Sequence, residues 1–244
     1  MERVVIVTGA AGVLGAAIAE AFGKAGDKVL VSDINEAPLA AVAARINKGP
    51  GEAISRPVDT RNYDQVRDMV RQAMGKWKKV DVIACVAGQS LKRLSAEKKD
   101  KLLIEHTDED WDLVMETNLR GTFHCIKAVA EPMMAQRDGH IIIMGSGTGT
   151  TGGSRVSSYA TVKAGLYGLM KSAAIELGEY NIKVNIVNPG RVLHPGDVLK
   201  ESNIQENTLK RISNAPDVAD FYVHLAGMKN TSGQIFNLDS RILF

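Results

Sequence analysis

An apolar run, Val4-Val5-Ile6-Val7, passes directly into Thr8-Gly9-Ala10-Ala11-Gly12-Val13-Leu14-Gly15 and then into a small-residue helical pattern, Ala16 to Phe22. The order is strand, tight turn, helix. Glycine lets the backbone turn sharply and be approached closely, and the free N–H groups at a helix start suit an anion. The arrangement predicts a seat for a dinucleotide pyrophosphate, contacted by Gly9, Ala11, Gly12, Val13, Leu14 and Gly15. Taken alone, the same turn would also serve as an ordinary strand-to-helix connection.

The rest of the chain repeats this alternation. Strand candidates lie at Lys28 to Ser32, Ala53 to Val58, Val80 to Val86, His140 to Met144, Ile182 to Val187 and Gln234 to Leu238. Helical spacing of apolar residues runs through Pro38 to Ala44, Tyr63 to Lys76, Trp111 to Gln136, Ser158 to Leu177 and a segment starting near Asp217. A shorter helical fragment is expected at Ile204 to Ile212. Strands that are apolar throughout and separated by helices imply a parallel sheet covered on both faces. The fold class is therefore α/β: a Rossmann-type, doubly wound parallel sheet of about seven strands, in one domain over residues 1–244. Ligands of such sheets bind outside the carboxyl ends of the strands.

Asp33, eighteen residues beyond Gly15 at the end of the second strand, stands where an acidic side chain accepts from the adenosine ribose hydroxyls. It would repel a 2′-phosphate, and no Arg or Lys flanks it closely, so NAD is favoured over NADP. Its neighbour Ile34 joins the same contact set, and the plain alternative for Asp33 is a turn or capping residue. Asp59, with Thr60, follows the third strand and is expected at the adenine edge. Past the middle of the chain, Tyr159-Ala160-Thr161-Val162-Lys163 puts a phenol and an ammonium four residues apart, on one helix face. An ammonium beside a phenol lowers its pKa from about 10 toward a value useful for proton transfer.

With 30 basic and 28 acidic residues, the net charge of +2 gives no reason to expect a nucleic-acid partner. No apolar run reaches the length of about 18 residues that a membrane span needs, and no cleavable signal pattern opens the chain, so a cytoplasmic protein is expected. Cys85 and Cys125 lack metal-ligand spacing and read as reduced core thiols.

These residues together resemble the short-chain dehydrogenase/reductase family, of the compact kind, over almost the whole chain. The resemblance takes in the glycine-rich turn, Asp33, Asp59, Ala87-Gly88, Asn118, Ser146 thirteen positions before Tyr159, Lys163, and Asn188-Pro189-Gly190. It implies that Tyr159 exchanges a proton with the substrate oxygen, that Ser146 holds that oxygen, and that Lys163 tunes the phenol and bonds the nicotinamide ribose. Asn118 would anchor a water leading to Lys163. Ala87, Gly88, Pro189, Gly190, Val192, Tyr159 and Lys163 would complete the contacts to the cofactor. The implied reaction is hydride transfer between NAD(H) and a small secondary alcohol or ketone. The first expected substrate is a 3-oxoacyl thioester, as for the 3-oxoacyl carrier protein reductases, and the second a sugar or cyclic polyol. A homotetramer, or a homodimer, is implied by the same likeness.

The chain also departs from the family. Val13 stands where a glycine is common, Cys85-Val86-Ala87-Gly88 replaces an Asn-Asn-Ala-Gly pattern, and His194 takes the place of a threonine. A competing reading is a catalytically silent protein that senses dinucleotide on this scaffold. The segment from Gln89 to Asp110 is long and carries Lys92, Arg93, Lys98, Lys99 and Lys101, interleaved with Glu97, Asp100 and Glu105. It reads either as a basic rim for an anionic substrate or as a solvated face.

Overall fold

The computed structural model of the protein describes residues 2–94 and 100–241. The first apolar run is strand β1 (Val4–Thr8), buried along its whole length, and the glycine-rich turn leads into helix α1 (Val13–Lys24). Then follow β2 (Lys28–Asp33), α2 (Glu36–Ile46), β3 (Glu52–Pro57), α3 (Tyr63–Trp77) and β4 (Val82–Cys85). A single turn, α4 (Leu91–Leu94), precedes α5 (Asp108–Met115), a π-helical turn over Glu116–Arg120, and α6 (Gly121–Gln136). The second half begins with β5 (Gly139–Met144), the short α7 (Thr148–Thr151) and the long α8 (Ser157–Gly178). It ends with β6 (Ile182–Asn188), α9 (Glu201–Gln205), α10 (Ala215–Leu225) and β7 (Ile235–Asn237).

The strands form one seven-stranded sheet in the order β3-β2-β1-β4-β5-β6-β7, each pair parallel. On one face Phe22 of α1, Leu39 of α2 and Tyr222 of α10 pack against Val5 and Val7 of β1. On the other, Met69 of α3, Val129 of α6 and Leu166 of α8 pack with Ile6. Because alternate residues of β1 enter opposite cores, Val4 to Val7 are all apolar, and each such buried side chain contributes about 1.5–3 kcal/mol. The edge strand β3 buries Ala53 in the first core and packs Ile54 against the second, and its other residues are half-buried or exposed. Winding reverses between β1 and β4, which opens a crevice above their carboxyl ends.

Two expected elements differ. The helix expected over Trp111 to Gln136 is divided by the π turn. There the Thr117 hydroxyl and Asn118 Nδ2 donate to the carbonyls of Leu113 and Val114, four residues back, at 2.7 and 3.0 Å. Those side chains compete with the backbone for the same acceptors. The fragment expected at Ile204 to Ile212 is helical only to Gln205, because the Thr208 N–H donates at 3.1 Å to the Ser240 carbonyl and leaves the helix. Among the described residues, no helix is long and apolar enough to cross a membrane. Of the charged residues noted between Gln89 and Asp110, Glu97, Lys98 and Lys99 lie outside the described residues, as does the side chain of Lys92.

Candidate active site

Above the carboxyl ends of β1, β2, β4, β5 and β6 lies a cleft of about 600 Å³. One wall is the glycine-rich turn. Gly9 has φ +70° and its α-carbon lies so near the next strand that a Cβ would come within 2.7 Å of the Ala87 nitrogen. A Cβ on Gly15 would run into the Gly9 carbonyl oxygen, whereas one on Gly12 would clear it at 3.4 Å. The turn is thus tight at Gly9 and Gly15 for packing reasons, while Gly12 is left open. Gly12 is the N-cap of α1 and offers no capping side chain, so the first-turn N–H groups have no side-chain acceptor. Ala11, Val13 and Leu14 line the cleft beside them. This cradle fits a dinucleotide pyrophosphate.

At the end of β2, the Asp33 carboxylate accepts from the Ala11 N–H at 3.1 Å and from the Asn35 N–H at 3.0 Å. It joins the turn to the strand and keeps acceptor capacity on both oxygens toward the cleft it lines with Ile34. Asp59 and Thr60 line the same end, but the Asp59 carboxylate is gripped by Arg61, whose Nε and Nη2 lie 3.0 and 2.6 Å from its two oxygens. Hydrogen bonds from that guanidinium hold the Asp59 carboxyl below the usual range. Arg61 also lines the cleft, a residue whose sequence signal is only an acid two residues before a base.

The opposite wall follows β4. Where the family pattern has asparagines, the Thr8 hydroxyl accepts from the N–H groups of Val86 and Ala87 at 3.2 and 3.3 Å, so the backbone there is held from β1. Gly88, at φ +138°, passes so close to Asn118 that a Cβ would press on its carboxamide. Of the expected site residues only Asn118 does not line the cleft. It lies fully buried behind Gly88, donates to the Gln89 and Val114 carbonyls at 3.0 Å, and leaves its Oδ1 without a partner. One of these bonds reaches the turn after β4 and the other holds α5.

Ser146, Tyr159 and Lys163 converge from β5 and α8 on the remaining side, together with Pro189, Gly190 and Val192 from the end of β6. The Lys163 ammonium is buried, donates to the Met144 carbonyl at 2.9 Å and sits 5.4 Å from the Tyr159 ring centroid. Burial pulls its pKa down to about 8. Burial also pushes the Tyr159 phenol up to about 12, against the hydrogen-bonding Ser146 hydroxyl and the charge of Arg93, which lower it. Ser146 and Arg93, rather than Lys163, are the groups that counter the rise. The Ser146 segment is held from behind: the Tyr167 hydroxyl donates to the Ser146 carbonyl at 2.7 Å and accepts from Asn188 Nδ2 at 3.2 Å. His194 lines the mouth, and burial and the nearby Arg93 lower its pKa, favouring a neutral ring.

The cleft thus brings the glycine-rich turn and Asp33 together with Ser146, Tyr159 and Lys163. The family model described as short chain dehydrogenase matches residues 3–207. The chain is 32% identical over 235 residues to a 3-oxoacyl-[acyl-carrier-protein] reductase of Staphylococcus epidermidis, covering 94% of this chain and 93% of that one. Its fold superimposes on a 3-oxoacyl-[acyl-carrier protein] reductase with bound NAD from Brucella melitensis with a TM-score of 0.88. That pair is 29% identical, covering 100% of this chain and 92% of the other. An NAD+-bound xylitol dehydrogenase, 23% identical and covering 98% of each chain, shares the fold with a TM-score of 0.90.

Proposed function

Since the chain belongs to the short-chain dehydrogenase family, and is thereby a nicotinamide-linked oxidoreductase of CH–OH groups, we propose that Tyr159 exchanges the proton with the substrate oxygen and that NAD(H) is the coenzyme. The observation that carries this reading is the convergence of Ser146, Tyr159 and Lys163 on the cleft lined by the glycine-rich turn and Asp33. The dinucleotide, when bound, supplies or takes up the hydride. In reduction Tyr159 gives its proton to the carbonyl oxygen, and in oxidation it removes the alcohol proton. Ser146 holds that oxygen as charge develops on it. Lys163 donates to the nicotinamide ribose and carries positive charge beside the phenol. Asn118 fixes the π turn and Gly88 from behind the cleft.

Gly9, Ala11, Gly12, Val13, Leu14 and Gly15 hold the pyrophosphate in this reading. Asp33 with Ile34 takes the adenosine ribose, Asp59 with Thr60 the adenine edge, and Ala87 with Gly88 the facing wall. Pro189, Gly190 and Val192 border the nicotinamide. The Asp33 carboxylate, free of any ion pair among the described residues, favours NAD over NADP. A 3-oxoacyl or 3-hydroxyacyl compound is the first substrate class, supported by the names of the Staphylococcus and Brucella relatives, and a polyol the second. Residues 1–244 act as one domain in the cytoplasm, where the free thiols Cys85 and Cys125 stay reduced. Copies assemble as a homotetramer, or a homodimer, through the apolar hollow that Met115, Leu119, Phe123 and Leu169 line.

The test is NADH-linked reduction of a ketone panel, followed by nicotinamide absorbance, with Tyr159→Phe alongside. Turnover with NADH exceeding that with NADPH is expected, and a loss of roughly 10²–10⁴-fold in the variant. Undiminished activity in Tyr159→Phe would remove the proton-transfer role. Bound dinucleotide without turnover of any ketone would favour the sensing protein instead.

A further inference from the structure

Of the described cations between β4 and α5, Lys101 is taken by Asp110, while Arg93 lines the cleft with Tyr159, Gln89 and His194. Its position is fixed from below. Leu91, on the same turn of α4, is buried with Val114 and Val162, and Tyr159 and Leu94 pack against that cluster. Arg93 Nη2 lies 2.7 Å from both carboxylate oxygens of Asp197, which belongs to the loop after β6. Its Nε and Nη1 make no hydrogen bond among the described residues, so one nitrogen holds the guanidinium and the other donors are unused.

We propose that Arg93 selects the substrate, and that the preferred substrate is a short oxo or hydroxy acid whose carboxylate takes the guanidinium donors left open beside Asp197. This rests on the oxidoreductase reading of the same cleft and narrows its substrate class from acyl compounds in general to the free acids. A planar carboxylate suits the donors that Asp197 leaves open on the guanidinium. Leu94, Leu113 and Val192 wall the same cleft with apolar surface suited to a short carbon chain. Arg93 and Tyr159 line this cleft together, and Tyr159 packs against the cluster that seats the Arg93 turn.

The experiment pairs 2-oxobutyrate, acetoacetate and levulinate with their methyl esters. Each is titrated calorimetrically into the protein with NAD+ and assayed for turnover with NADH, using the wild type, Arg93→Met, Arg93→Lys and Asp197→Asn. At least one acid is expected to bind at least tenfold more tightly than its ester. That preference should collapse in Arg93→Met, persist in part in Arg93→Lys, and survive in Asp197→Asn, which removes the latch but keeps the guanidinium. Equal binding of acid and ester in the wild type would overturn the proposal. So would a preference untouched by Arg93→Met, or one lost equally in Arg93→Met and Asp197→Asn, which would make Arg93 a strut between loops. Turnover of the esters and its loss in Tyr159→Phe report separately on the oxidoreductase reading.

Discussion

Burial works against both proton-carrying groups at once, pushing the Tyr159 phenol up to about 12 and pulling the Lys163 ammonium down to about 8. For Lys163 this is a statement about stability. Its folded pKa lies below the unfolded one, so the unfolded chain binds more protons between about pH 8 and the ordinary lysine value, and stability rises with pH across that window. Below it, the buried charge is a standing cost, partly relieved by the Met144 carbonyl and the face of the Tyr159 ring. Lys163→Met is therefore expected to be inactive yet about 1–3 kcal/mol more stable than the wild type at pH 7, with the gap closing toward pH 10.5. Urea unfolding across that pH range measures it, and a variant less stable at pH 7 would contradict the sign. Of the two arginines of the cleft, Arg61 carries only the weak signal of an acid two residues before it, and Arg93 reads as one of a basic run without its partner. Arg93 reaches an aspartate 104 positions away, a proximity only the folded chain creates.

At the scale of elements, the glycine-rich turn separates two reasons for glycine. Gly15→Ala meets backbone at the Gly9 carbonyl and is expected to cost about 1–3 kcal/mol in folding, read by urea unfolding. Gly12→Ala clears the protein and should leave stability nearly unchanged while weakening NADH binding, read by fluorescence titration; equal effects of the two variants on binding and stability would refute the distinction. Such turns and the doubly buried strands were legible because both depend on local chemistry. β1 must be apolar on two faces, and the turn must be short and small. The π turn was not legible, since five residues of altered hydrogen bonding leave the apolar spacing on either side intact. Its signal was polar instead: Thr117, Asn118 and Thr122 each bond a carbonyl four residues earlier. The end of α9 was equally hidden, because its stop comes from Ser240 at the far end of the chain.

For the whole molecule, the hollow beside Phe123 shares no lining residue with the cleft, and Asp112, Glu116 and Arg120 border it. Phe123→Asp adds a third carboxylate to that hollow and is expected to weaken self-association by about tenfold or more, measured by sedimentation at graded concentration. An unchanged assembly would place the subunit contact elsewhere. Within one subunit, the proposed proton-transfer groups Ser146, Tyr159 and Lys163 stand on a single stretch between β5 and α8. The two segments at the mouth contribute none of them, but Arg93 of one is fastened to Asp197 of the other. Transplanting either segment alone into a relative would strand a lone guanidinium or a lone carboxylate at the rim. Exchange of both segments together is therefore the unit by which this scaffold would acquire a new diet.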